Sequence, residues 1–183
     1  GPYCAGTLTL PVSFTSNIPG TTFAWSASSS TVGLTPSSGT GSIPSFTTVN
    51  NGSTPIVVTF TVTPTSPAPV SCVGSPHTFT MTINPHPIIT ITSGNANQSV
   101  CINTPISSII STWSGSTSST AIAGLPAGLI FNNASPSTIS GSPTASGSYT
   151  YTVTATGCAS QTASVTGTIT VNPDATVALS SAA

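Results

Sequence analysis

Thr80-Met81-Thr82-Ile83-Asn84-Pro85 and Thr168-Ile169-Thr170-Val171-Asn172-Pro173 are one phrase written twice, with Asn84 and Asn172 standing 88 positions apart. In both copies Thr alternates with an apolar residue until the run stops at Asn-Pro. Successive side chains of a strand point to opposite faces, so this is the pattern of a strand with one buried and one wet face. Proline cannot donate to a sheet ladder, so each phrase ends where its strand ends. The restart is repeated too. His86-Pro87-Ile88-Ile89-Thr90-Ile91-Thr92-Ser93 follows the first copy, and Asp174-Ala175-Thr176-Val177-Ala178-Leu179-Ser180-Ser181 follows the second.

A period of about 90 residues suits one immunoglobulin-sized sandwich per repeat. The repeat places one module at 1–85, a second at 86–173 and the opening strand of a third at 174–183. Outward from the repeated phrase, alternation continues. Leu8, Leu10, Val12 and Phe14 share one parity, as do Phe23 and Trp25, then Val58, Phe60 and Val62, then Phe79, Met81 and Ile83. Thr occupies the opposite parity, which predicts an inward apolar face for each run. In the second module the same reading predicts strands near 88–93, 98–102, 107–113, 129–131, 137–140, 148–156 and 163–171. Short strands broken by Gly, Pro and Asn turns predict an all-β chain of tandem immunoglobulin-like Greek-key β-sandwiches.

Composition removes several functions. The chain has 183 residues, no Lys or Arg, and a single acid, Asp174. Counterion release from nucleic acid and attraction to an anionic membrane surface both need cations, and there are none. No uninterrupted apolar run approaches the length of a spanning helix. A catalytic triad needs nucleophile, His and acid together, and a two-carboxylate hydrolase needs two acids. The only acid lies beyond the second module, far in sequence from Cys72 and His77. The chain is therefore expected to have no catalytic and no cofactor-binding residues. His77 and His86 lack the further ligands of a metal site, and calcium would need several carboxylates. No metal and no cofactor are expected.

Cys4 and Cys72 fall in the first module, Cys101 and Cys158 in the second. Four cysteines in a Thr-rich, nearly charge-free chain suggest an oxidising compartment. Three pairings are possible. The repeat boundary favours Cys4–Cys72 and Cys101–Cys158, since each bridge then lies inside one folding unit. Trp25 shares parity with Phe23 and is expected in the core. Trp113, ahead of a Ser/Gly/Thr loop at 114–120, could instead stack on a sugar. Asn51, Asn97 and Asn133 head glycosylation sequons, which match by chance as readily as by function.

Gly124-Leu125-Pro126-Ala127-Gly128-Leu129, Ile139-Ser140-Gly141-Ser142-Pro143 and Ser146-Gly147-Ser148-Tyr149-Thr150-Tyr151-Thr152-Val153 together resemble the PIG-type immunoglobulin repeat of bacterial surface proteins. Val100-Cys101-Ile102-Asn103-Thr104 and Gly157-Cys158 resemble its cysteine-bearing variant in giant secreted proteins of Bacteroidota. The first module is similar to the PKD-like repeats that accompany them, on Gly20-Thr21-Thr22-Phe23-Ala24-Trp25, Gly39-Thr40-Gly41-Ser42-Ile43-Pro44-Ser45-Phe46 and Cys72-Val73-Gly74-Ser75-Pro76. The resemblance implies extracellular or cell-surface proteins, often exported by type 9 secretion and associated with adhesion. It carries no catalytic residues, and the lack of acids means that calcium binding does not transfer.

The expected function is a structural spacer or stalk segment of an extracellular adhesin or surface fibre. Its expected partners are neighbouring modules of the same chain and other copies in a fibre. The alternative is a carbohydrate-binding module that grips surface glycans through Trp113.

Overall fold

The computed structural model describes residues 2–177. The chain divides into two compact units, Gly1–His86 and Pro87–Ala183. Part of the strand expected at 174–183 lies outside the described residues; Pro173 to Val177 are exposed and belong to no strand.

The first unit holds β1 (Tyr3–Cys4), β2 (Thr22–Ala27), β3 (Ser38–Thr40), β4 (Ile56–Thr65) and β5 (His77–Asn84) in one sheet of order β1-β5-β4-β2-β3. β1 runs parallel to β5, and β4 is antiparallel to both β2 and β5. The facing layer is thinner, joined by bridges Leu8↔Thr47 and Val12↔Ile43. Between the layers lie Trp25, Val32, Leu34, Ile43, Val58, Phe60, Met81 and Ile83. Phe60 and Phe79 stack with centroids 5.0 Å apart. Trp25 is buried because its cross-strand partner is Gly39, where a Cβ would lie 2.8 Å from the indole.

One stretch reverses the expected parity. Leu8 and Leu10 are 67% and 76% exposed, while Thr9 is 2% exposed. Thr9 donates its amide to the Phe46 carbonyl at 2.9 Å, and its hydroxyl accepts the Phe46 amide at 3.0 Å. A buried hydroxyl with a partner is tolerated, and this double contact turns Thr9 inward and its neighbours outward.

The second unit holds β6 (Pro87–Ser93), β7 (Gln98–Cys101), β8 (Ile109–Gly115), β9 (Ser119–Ala123), β10 (Leu129–Asn132), β11 (Ser137–Gly141), β12 (Gly147–Thr156) and β13 (Thr162–Asn172). They form two four-stranded sheets, β10-β11-β8-β6 and β7-β13-β12-β9. The chain changes sheets between β6 and β7 through Gly94, which has φ +80. A Cβ there would lie 2.3 Å from the Ser108 carbonyl oxygen, so the turn requires Gly. The core packs Ile89, Ile109, Ile139, Tyr151, Val153, Ala155, Ile169 and Val171. Both units are immunoglobulin-like sandwiches, as the periodicity predicts. β9 has no counterpart among the predicted strands, because Ser119–Ala123 lacks a run of large apolar residues.

Candidate functional site

The features that repeat between the units gather at their ends. In the first, Cys4 stands opposite Asn84 on the last rung of the parallel β1–β5 ladder. In the second, Cys101 stands opposite Asn172 on the last rung of the parallel β7–β13 ladder. The surrounding hydrogen bonds also match. Ala5 and Ile102 donate to the Asn84 and Asn172 carbonyls at 2.8 and 2.9 Å, and Thr7 and Thr104 donate to the Cys4 and Cys101 carbonyls at 3.1 Å each. Each turn passes through a left-handed residue, Gly6 (φ +79) or Asn103 (φ +62). These cysteines mark the exit end of each unit, where its last strand finishes.

The other two cysteines occupy the connections between the last two strands, at the hairpin end. Cys72 lies between β4 and β5, held by its amide to Ser66 Oγ at 2.8 Å and by its carbonyl accepting from the Ser66 amide at 2.9 Å. Cys158 lies between β12 and β13 and donates its amide to Ser116 Oγ at 3.2 Å.

This layout overturns the expected pairings. Cys72 precedes β5 and Cys4 sits at its far end. Eight residues of strand span about 23 Å, while a disulfide needs its Cα atoms within about 7 Å. The eleven residues of β13 separate Cys158 from Cys101 in the same way, by about 33 Å. Neither Cys4–Cys72 nor Cys101–Cys158 forms. Cys72 and Cys101 are free, exposed thiols, whereas Cys4 and Cys158 are each disulfide-bonded. The repeat boundary argues for bridges within units only if the cysteines share an end, and a sequence does not display that.

Trp113 is half-buried on β8, in register with Ile89 and packed against the second core. The hydroxyls beside it are engaged internally. Thr117 donates to the Ser114 carbonyl at 2.7 Å, Ser118 to the Thr156 carbonyl at 3.1 Å, and Ser116 accepts from Cys158. Thr120 is buried. Ser116, Thr117 and Ser118 thus spend their hydroxyls on backbone groups of Cys158, Ser114 and Thr156. His77, His86 and Asp174 are exposed and not grouped; among the described residues no three His, Cys, Asp or Glu cluster.

The first unit carries an open apolar groove of about 520 Å³ lined by Phe14, Phe23, Val62, Pro64, His77 and Phe79. Phe14 and Phe23 meet in it with centroids 5.6 Å apart. Beyond Ser16, Asn17 and Pro64 a second hollow continues to Cys72.

A PKD-like domain family model matches residues 3–87, and a Putative Ig domain model matches residues 81–172. The chain belongs to these two families in tandem. No curated protein matches the sequence. Among solved structures, the PKD-like and Ig-like modules are similar in fold to immunoglobulin domains 1–4 of Sidekick-1, with TM-score 0.53 and 11% identity over 93% of this chain. This chain spans 46% of that one. They are also similar to the IG1 and IG2 domains of DIP-gamma, with TM-score 0.53 and 10% identity over 96% of this chain and 93% of that one. PKD-like and Ig-like modules of this kind are consistent with a structural or adhesive role.

Proposed function

We propose that the chain is a spacer segment of an extracellular adhesin or surface fibre, whose modules bear load and contact one another and do no chemistry. The observation that carries this reading is the shared exit geometry. Each module closes on a parallel Cys–Asn rung, Cys4↔Asn84 or Cys101↔Asn172, and leaves through Asn-Pro into a new apolar run. A unit that ends the same way each time can be joined to the next by the same rule, as in repeat proteins. The presence of disulfide-bonded cysteines supports an extracellular setting. One side-chain carboxylate in the whole chain supports a role without acid–base chemistry.

The test is glycan-array binding by the full chain and by Trp113→Ala. A spacer retains no glycan in either form. Binding that Trp113→Ala abolishes would replace this reading with carbohydrate recognition.

A further inference from the structure

The strand faces that look away from the two cores are not alike. In the Ig-like module β12 and β13 pair without a break over ten positions, and every second pair faces outward. The three central outward pairs are Thr150↔Thr168, Thr152↔Thr166 and Thr154↔Ser164. Ser148↔Thr170 and Thr156↔Thr162 flank them, so all ten outward positions carry a hydroxyl and eight of them are Thr. The PKD-like module repeats the array on its own last two strands, where Thr59 pairs with Thr80 and Thr61 with Thr78. Ser26 on β2 continues the second of these rows.

Thr suits any strand, so its abundance alone carries nothing. The opposite sheets supply the comparison. The outer face of β6, β8, β10 and β11 is interrupted by Ile88, Ile110 and Ile130, and its β6–β8 ladder is broken by a register shift between Ile91 and Ser93. The opposite layer of the PKD-like module exposes Leu8 and Leu10. A regular hydroxyl array is thus confined to one sheet in each module. Its hydroxyls are also unspent. Thr156 and Thr168 bond through backbone atoms, and among the described residues none of the ten array hydroxyls of the Ig-like module has a protein partner.

We propose that these arrays bind ice, each module presenting the outward face of its last two strands to the crystal. Outward pairs on one antiparallel ladder are all of one kind, so the rows are evenly spaced. They repeat at about 4.5–5.5 Å across the strands and ~6.8 Å along them. Oxygens on the prism face of ordinary ice repeat on a rectangle of nearly these sides. Thr is stiff at χ1, so each hydroxyl and methyl is held in place before water arrives, which lowers the ordering cost of binding. Neighbouring strands twist by roughly 20–25°, so the matched patch is the central rows of two strands and not a whole sheet.

Composition narrows the occupant. A charged polymer or mineral needs opposite charges, and the array has none. A sugar ring stacks on an aromatic platform, and no aromatic side chain stands in the rows. An apolar partner would strand the hydroxyls without hydrogen bonds. A lattice of water gives each hydroxyl a partner and crosses the methyls without displacing the hydration shell of a charge. The inference goes beyond the spacer reading and does not depend on it.

The test is partition of the purified full chain between a slowly growing ice front and the remaining liquid. Thr152→Tyr with Thr166→Tyr breaks the central row of the Ig-like array, and Thr61→Tyr with Thr78→Tyr does the same in the PKD-like module. Aromatic residues suit exposed strand positions, and an unchanged melting temperature confirms that each variant is folded. The wild type is enriched in the ice. Each pair of changes lowers that enrichment, and the four together lower it by about tenfold or more. Thr90→Tyr with Thr112→Tyr, a facing pair on the other sheet, leaves it unchanged. A wild type excluded from ice, enrichment that survives all four changes, or an equal loss in the Thr90 and Thr112 control would overturn the proposal. Adsorption to cellulose or chitin particles with exclusion from ice would overturn it as well. Exclusion from ice leaves the spacer reading standing, since that reading falls to glycan binding that Trp113→Ala abolishes.

Discussion

The Tyr151 hydroxyl donates to the Ala96 carbonyl at 3.1 Å, tying the centre of β12 to the turn that carries the chain from β6 to β7. Tyr151 is fully buried, and Gly167 on β13 leaves room for its ring: a Cβ there would lie 2.4 Å from the Tyr151 oxygen. Tyr151→Phe removes the donor and leaves a carbonyl with one partner fewer, a loss of about 1–2 kcal/mol from the Ig-like module. Chemical denaturation of wild type and variant measures it.

Burial raises the Tyr151 pKa above its ordinary value of 10.0. The unfolded chain therefore ionises this phenol first as pH rises. The Tyr151 contribution to stability is intact below about pH 10 and is lost progressively from there up to the folded pKa. Tyr151→Phe should flatten that alkaline decline in the melting temperature of the Ig-like module. A decline of equal steepness in the variant would assign it to other groups.

In the PKD-like module Asn50 is the comparable polar anchor. It is buried, donates to the Thr54 and Ile83 carbonyls at 2.9 and 2.8 Å, and accepts the Gly52 amide at 3.0 Å. Asn50→Ala deletes three hydrogen bonds and strands buried backbone groups, for a loss of about 2–4 kcal/mol. Urea titration should show this as a lower midpoint for the PKD-like module alone.

Thiol labelling distinguishes the cysteines directly. Without reductant, iodoacetamide should modify Cys72 and Cys101 and leave Cys4 and Cys158 unmodified; after reduction all four should react. Labelling of Cys4 under native, oxidising conditions would contradict the assignment.

The repeat and the Thr alternation made the strands legible, because a half-buried strand writes its period into the sequence. Val58, Phe60 and Val62, or Met81 and Ile83, could be placed in the core from parity alone. Leu8 and Leu10 could not, because there the decision belongs to a contact between Thr9 and Phe46, residues 37 positions apart. The cysteines failed for a related reason. Module membership is visible in a sequence, but the end of the module at which a residue sits depends on strand register, and Cys4 joins β5 at its last rung. The groove was equally hidden: its walls come from residues 13–17, 23, 62, 64, 77 and 79, which only the fold brings together.

The central claim is that each module is an independent load-bearing unit in a series. Pulling the chain by its two ends in reducing buffer, in a single-molecule force experiment, tests it most directly. With 80 or more residues per module and roughly 3.5 Å of extension per residue, two separate rupture events are predicted, each releasing on the order of 280 Å. A single event that releases both modules together, or a featureless extension with no rupture, would contradict the account.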